Sequence, residues 1–386
     1  MSASLYTRQF LLLCASSFFF FASFNMVIPE LPSHLEGMGG AEYKGLIIAL
    51  FTLTAGLSRP FSGKLTDALG RLPVMVVGSV VCVVCGVLYA FANTVFLLLL
   101  LRFFHGFSTG FKPTATSAYV ADLVPDHKRG EAMGILSMAG GAGMAAGPAV
   151  GSLITQASTI HWMFVASSLA ALVSVVVILG MKETLEQPKP FHLSLLRIGW
   201  GDVYEPRVLW PALVMVFTTF AFGAVLTLIP DYSRQIGVIN KGLYFSIFTV
   251  SSLFVRIMGG RLSDRHGRPV VVLFAVACVV ASLLLLALYT ERWSFFLSAV
   301  LFGFGAGTNA PTLFAWTTDL ADPQRRGRAM AMVYIALELG IGLGSLVSAW
   351  VFDNQVDQMP AALLVSALVC ALAVVLLVAQ RLIKRT

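Results

Sequence analysis

Glu338 is the one acidic side chain near the middle of a long apolar run, and Arg102, His105, Thr109, Lys112 and Thr116 interrupt another run at helical spacing. At about 100° per residue these five share one helix face less than a quarter-turn wide. Ionisable groups inside a bilayer are costly and for that reason mark solute or proton pathways. Glu338 is therefore the leading candidate to carry a proton; the alternatives are a fixed partner for Lys112 or Arg102, or a polar bond between helices. The stripe is expected to face a solute cavity, with Arg102 and His105 placed for substrate binding and proton coupling alike. Structural hydrogen bonds to the first and second spans would account for it too. Lys112 near mid-membrane needs a counter-charge, either a substrate carboxylate or phosphate or Glu338 itself, which favours an anionic or zwitterionic substrate. Asn25 and the helix-spaced Asn309, Thr312 and Trp316 are expected to line the rest of the cavity, with packing as an equal alternative for Trp316.

The elements that position these groups must be membrane-spanning helices. Hydrophobic residues make up 58% of 386 positions and charged residues 12%, against about 25% charged in soluble domains. A crossing takes about 20 apolar residues. Such runs recur at 9–30, 43–62, 73–93, 95–122, 130–156, 161–181, 208–230, 241–262, 269–289, 293–320, 327–351 and 359–381, which predicts twelve spans in an all-α polytopic membrane protein. The first run continues from Phe10 to Ile28 without a small-residue cleavage site and reads as a retained helix. Cys14, Cys82, Cys85, Cys278 and Cys370 all fall in apolar runs, so neither a disulfide framework nor a metal site is expected.

Lysines and arginines orient the spans. With both termini cytoplasmic, only Lys44, Arg234, Lys241 and Arg292 face outwards; Arg59, Arg102, Lys112 and Arg256 lie within spans, and every other basic residue falls inside. The net charge of +7 thus reports topology and requires no nucleic-acid partner. The segment Gly63-Lys64-Leu65-Thr66-Asp67-Ala68-Leu69-Gly70-Arg71 recurs 197 positions on as Gly260-Arg261-Leu262-Ser263-Asp264-Arg265-His266-Gly267-Arg268. The same offset joins Arg59 to Arg256, Gly106 to Gly303, Gly110 to Gly307 and Asp122 to Asp319. Two pseudo-symmetric six-helix halves, 1–181 and 208–386, joined by a cytoplasmic linker over 182–207, predict a cavity at their interface near the bilayer midplane. Residues 191–200 of the linker read as a short surface helix.

The local chemistry of the repeats suggests gates. Asp67 and Asp264 can bond exposed helix N-terminal amides. Arg59 and Arg256, about two turns inside these aspartates, read as gate or latch residues and not as ligands. Glu30 resembles Asp231 in context, Ile-Pro-acid in both cases, which suggests a structural role. Gly143, Gly147 and Gly151 recur every fourth residue and let another helix approach closely, while Pro148 can kink its helix. This describes a helix suited to rocking or one packed tightly in place.

The doubled G-x-L-[ST]-D-x-x-G-R loop resembles the signature loop of the major facilitator superfamily. Leu101-Arg102-Phe103-Phe104-His105-Gly106 is similar to its second motif, and the run from Gly143 to Gly151 resembles the G-x-x-x-G-P-x-x-G motif of its twelve-helix drug:proton antiporters. The resemblance covers nearly the whole chain. It implies that the loops latch the two halves on the cytoplasmic side, with Arg71 and Arg268 near Asp122 and Asp319; a purely topological role is the rival reading of those arginines. Span 1 departs from the pattern in lacking the mid-span acid of many such antiporters, and Lys112 is a second departure.

These readings lead to an expectation of proton-coupled secondary transport of a small organic molecule or drug, outward, by alternating access in a monomer of a bacterial inner membrane. The implied partners are the substrate, protons and the lipid bilayer, with no cofactor. An importer or uniporter of the same fold is the alternative, since fold fixes neither direction nor substrate. A non-transporting receptor leaves the doubled loops unexplained. An enzyme would need a catalytic constellation, and the sequence has no metal-ligand cluster, G-x-S-x-G elbow or phosphate loop.

Overall fold

Twelve long helices run back and forth along the described residues of the computed structural model: α1 Arg8–Val27, α2 Lys44–Leu69, α3 Arg71–Tyr89, α4 Val95–Leu123, α5 Arg129–Ala157, α6 Ile160–Leu179, α7 Leu209–Gln235, α8 Gly242–His266, α9 Arg268–Leu288, α10 Arg292–Leu320, α11 Arg326–Phe352 and α12 Met359–Ile383. The structure describes residues 7–125, 128–199, 203–322 and 326–383, with the backbone alone at 130, 257–265, 326–327 and 381–383. Ten of the helices are apolar and long enough to cross a bilayer, and α8 contributes a shorter apolar stretch, Gly242–Arg256. The chain is an integral membrane protein.

Local signals start and stop these helices. Thr7 and Thr94 cap α1 and α4 by accepting from the amides of Phe10 and Leu97, and Glu291 with Ser294 forms a capping box at α10. Gly70 and Gly267 have φ of 121° and 84°, a region that favours glycine, and each makes the abrupt turn into the next helix. α2 continues to Leu69, beyond the expected end at 62, because the helix persists through a polar turn that hydropathy does not register. The linker has no α-helix over 191–199: Leu193–Leu196 forms one 3-10 turn, and Trp200 lies outside the described residues.

Lipid is as apolar as leucine, so packing in a membrane leans on small residues that let backbones meet. α1 packs on α5, and a Cβ added at Gly143, Gly147 or Gly151 would lie 2.2 Å from Phe18 O, 2.5 Å from Ala22 O or 2.2 Å from Met26 O. The repeat mates Gly340 and Gly344 place α11 on α7 in the same way, against Val216 O and Phe220 O. The first six helices and the last six meet chiefly through α2 with α11 and α5 with α8. At the end remote from the linker these contacts are very close: a Cβ at Gly45 would meet Ser345 O at 2.9 Å, and one at its repeat mate Gly242 would meet Pro148 O at 2.1 Å.

Candidate functional site

A cavity of about 400 Å³ lies between the two sets of six helices. α1, α4 and α5 supply one wall, with Phe20, Phe21, Lys112, Thr116 and Ser137; α7 to α11 supply the other, with Thr218, Phe222, Phe248, Arg256, Val279, Asn309 and Tyr334. It extends toward the linker face, where Met133, one turn into α5, is part of its wall. The far face is closed by the Gly45 and Gly242 contacts and by ion pairs across the interface. Lys44 Nζ lies 3.0 Å from Asp231 Oδ2, and Lys241 Nζ lies 3.2 Å from Glu30 Oε2. Arg234 joins Glu36 at 3.0 Å on the same face.

The α4 stripe divides among different neighbours. Arg102 is fully buried; its Nε donates to Ile47 O at 2.9 Å, and its guanidinium lies over the Phe51 ring. His105 sits between Cys82 Sγ at 3.3 Å and the Tyr89 hydroxyl at 3.2 Å, and Thr109 bonds back to Gly106 O. None of these three lines the cavity. Arg102 joins α4 to α2 and His105 joins it to α3, while the Thr109 bond stays within α4. The alternative of structural bonds to the first two spans thus holds for Arg102 with α2 and not for His105, whose partners lie on α3. Lys112 reaches the wall, but its ammonium turns into the first bundle and donates to Ser16 O, Ser16 Oγ and Ser174 Oγ at 2.8, 2.7 and 2.5 Å. Three acceptors saturate three ammonium donors, so the expected counter-charge, whether Glu338 or a substrate anion, is replaced by oxygens of α1 and α6.

Glu338 pairs with Arg59. Arg59 Nη2 on α2 lies 2.9 Å from Glu338 Oε1 on α11, with side chains 11% and 9% exposed, and the guanidinium stacks 4.2 Å over Tyr334. This bond spans the two sets of helices beside the cavity. Asn309 lines the cavity, its Nδ2 donating to Thr218 Oγ1 at 2.8 Å. Asn25 bonds to Phe21 O within its own helix, while Thr312 and Trp316 are buried in the packing of α10 and do not reach the cavity wall.

The signature loops sit within each bundle. Arg71 Nε lies 2.9 Å from Asp122 Oδ2 and its Nη1 3.3 Å from Asp67, which is 78% exposed; Arg268 Nε lies 2.9 Å from Asp319 Oδ2. Each of these ion pairs lies within one bundle, Arg71 with α2 and α4 and Arg268 with α10. The Asp264 side chain lies outside the described residues. The exposed amides at the start of α3 are taken by Glu183 and not by Asp67: Arg71 N and Leu72 N donate to its carboxylate at 3.0 and 2.9 Å. Burial alone would raise the Glu183 carboxyl, but the amides of Leu185, Arg71, Leu72 and Thr184 outweigh it and hold the group below its ordinary value. Sequence reasoning missed Glu183 because it lies just past the end of a span; the only signal is its place three residues beyond Gly180. Gly143, Gly147 and Gly151 face α1, whereas the Pro148 carbonyl faces Gly242 of α8.

Comparison with known proteins agrees with this architecture. Residues 13–239 and 236–385 each match the family model of the Major Facilitator Superfamily. The chain is 28% identical over 352 residues to the multi-drug resistance efflux pump PmrA homolog of Lactococcus lactis, covering 86% of this chain and 85% of that protein. It is 24% identical over 364 residues to the quinolone resistance protein NorA of Staphylococcus aureus, covering 91% of each. Its fold is shared by the human organic anion transporter MFSD10 (TETRAN), with a TM-score of 0.74, 20% identity and 96% and 99% of the two chains covered. A bacterial homolog of the human lysosomal transporter Spinster, in an inward-facing and unoccupied conformation, gives 0.76, 14% identity and 98% and 97% coverage. Twelve helices, the doubled loop and a family match to both halves place this chain in the Major Facilitator Superfamily of membrane transporters.

Proposed function

We propose that this protein is a proton-coupled exporter of small organic molecules that works by alternating access, with 1–181 and 208–386 as the two rocking bundles and 182–207 as their tether. The observation that carries the proposal is the Arg59–Glu338 pair, an ion pair between bundles held at 2.9 Å beside the cavity. A nearly buried pair is favourable only while both charges are present. Protonating Glu338 removes the attraction that holds α2 against α11, and deprotonating it restores the tie, so proton occupancy biases which face is closed. The basic linker face is the cytoplasmic one, with both termini on it, and the cavity is then open inward, ready to load. The efflux role in the name of PmrA supports the outward direction, and the quinolone resistance in the name of NorA is in keeping with it.

Proteoliposomes with an imposed pH gradient test the proposal. Of a panel of fluorescent aromatic solutes spanning both charge signs, at least one should accumulate against its own gradient in the compartment from which protons leave, and Glu338→Gln should abolish the accumulation while equilibrium binding remains. Accumulation by wild type that ignores the gradient would return the chain to a uniporter of the same fold.

A further inference from the structure

We infer that the cavity is built for an aromatic organic anion whose charged group is held by Arg256, an inference that rests on the transport reading above and names its substrate class. Lys112 and Arg256 are the cations in the cavity wall, and no acidic side chain lines it among the described residues. Lys112 has no donor to spare. Arg256 has: its Nη1 donates to Ser137 Oγ at 3.0 Å, and it takes part in no ion pair among the described residues. A guanidinium carries five N–H donors in a planar fork that matches a carboxylate or sulfonate with two parallel bonds. Charge and geometry therefore leave a binding position for an oxyanion at the cavity wall, where Arg256 replaces Lys112 as the residue that selects for negative charge.

The rest of the wall specifies the body of that anion. Phe20, Phe21, Phe222 and Phe248 face the same space, and Phe222 and Phe248 stand edge-to-face with centroids 5.7 Å apart. Flat ring systems gain from this kind of packing beyond their buried area. Asn309 is 6% exposed, and its Oδ1 is buried without a hydrogen-bond partner. A buried polar atom without a partner is costly, and here it offers an acceptor to a donor on the ligand. A lipophilic cation would meet two positive groups and no acid, an unfavourable arrangement at low dielectric.

Equilibrium binding to the purified full-length protein in lipid nanodiscs, with no gradient, separates these classes. The probes are 2-naphthoate, 2-naphthamide and 2-naphthylmethylammonium, which share one ring system and differ in charge. Wild type should bind the three in that order of affinity. Arg256→Gln should weaken 2-naphthoate by about tenfold or more, a difference of about 1.4 kcal/mol, while 2-naphthamide, which also reports correct folding, stays within about twofold. Arg256→Lys should retain part of the preference. A 6-hydroxyl on 2-naphthoate should add several-fold in wild type and nothing in Asn309→Leu. Wild type binding the ammonium as tightly as the carboxylate, or Arg256→Gln leaving 2-naphthoate unchanged, overturns the anion site. Gradient-driven flux without anion preference defeats this inference alone; anion binding without any gradient-dependent flux defeats the transport reading alone.

Discussion

The Lys44 ammonium on the first bundle meets the Asp231 carboxylate on the second at 3.0 Å, and the repeat mate of Lys44, Lys241, returns the contact to Glu30 at 3.2 Å. The two pairs are reciprocal, each bundle lending one lysine and one acid to the far face. Ser152 Oγ at 2.6 Å and Ser33 Oγ at 2.8 Å hold the Glu30 and Lys241 ends of one pair. Side chains 4–16% exposed are screened little by salt, so both pairs stabilise the closed far face.

The first prediction follows from that reciprocity. Lys44→Gln and Lys241→Gln should each raise the outward-open population several-fold and, combined, should add further. A single cysteine at Ala349, which packs against Gly45 across the interface, reports the opening through labelling by an impermeant maleimide in a background lacking the five native cysteines. Labelling rates equal to those of the parent in both variants would remove the pairs from the gate.

A second prediction concerns the glycine seam. At Gly143 an added Cβ would press on a backbone carbonyl of α1, which cannot give way without separating the helices. Gly143→Ala should therefore cost about 1–3 kcal/mol, as overpacking generally does, and Gly344→Ala should do the same between α11 and α7. Gly134 lies on the same helix with nothing within 4 Å of an added Cβ. Gly134→Ala should be neutral or stabilising by up to about 1 kcal/mol, the helix-propensity difference. Thermal unfolding in detergent distinguishes the two positions, and equal shifts would contradict the seam.

How far the sequence could be read depends on the kind of signal. Twelve spans and the superfamily were legible because a hydrocarbon core demands long apolar runs and because the loop is written twice. Helical spacing assigns residues to a face but not that face to a neighbour. Arg102 and His105 on α4 turn to α2 and α3, and the Lys112 head swings to Ser16 and Ser174 on α1 and α6. The depth of Glu338 was visible in its span, yet its partner Arg59 lies 279 positions away, and only the pairing of α2 with α11 brings them together. Glu183 carried no periodicity at all, since its role comes from two amides of a turn it meets in space.

The third prediction is a pH dependence at that turn. The folded Glu183 carboxyl is held below its ordinary value, so its contribution is present above about pH 4.5 and is lost as pH falls through the lower folded value. Limited proteolysis of the linker should be slow at neutral pH and should accelerate on acidification below that point. Glu183→Gln, which lacks the charge to accept all four amides, should be cleaved readily at every pH. A wild-type cleavage rate that stays flat across the acid range would show that the amides do not anchor the linker.

The last prediction tests whether Arg59 and Glu338 act as one unit. Removing one member of a buried pair strands the other charge and commonly costs about 3–5 kcal/mol, whereas removing both can be nearly neutral. Arg59→Gln should accordingly destabilise the protein more than the double variant Arg59→Gln/Glu338→Gln, leaving a coupling energy of at least about 1 kcal/mol in a double-mutant cycle. Function should separate from stability in the same set. Arg59→Gln retains a titratable carboxyl but loses the tie between bundles, so protons and solute should both cross with their fluxes uncoupled. Glu338→Gln retains Arg59 but holds no exchangeable proton, so downhill solute exchange should continue without any response to a pH gradient. Proton and solute fluxes measured together in one proteoliposome preparation decide the matter. Additive stabilities, with tight coupling preserved in Arg59→Gln, would mean that Glu338 exchanges its proton independently of Arg59 and that the bridge at 2.9 Å holds the helices together without linking proton to solute.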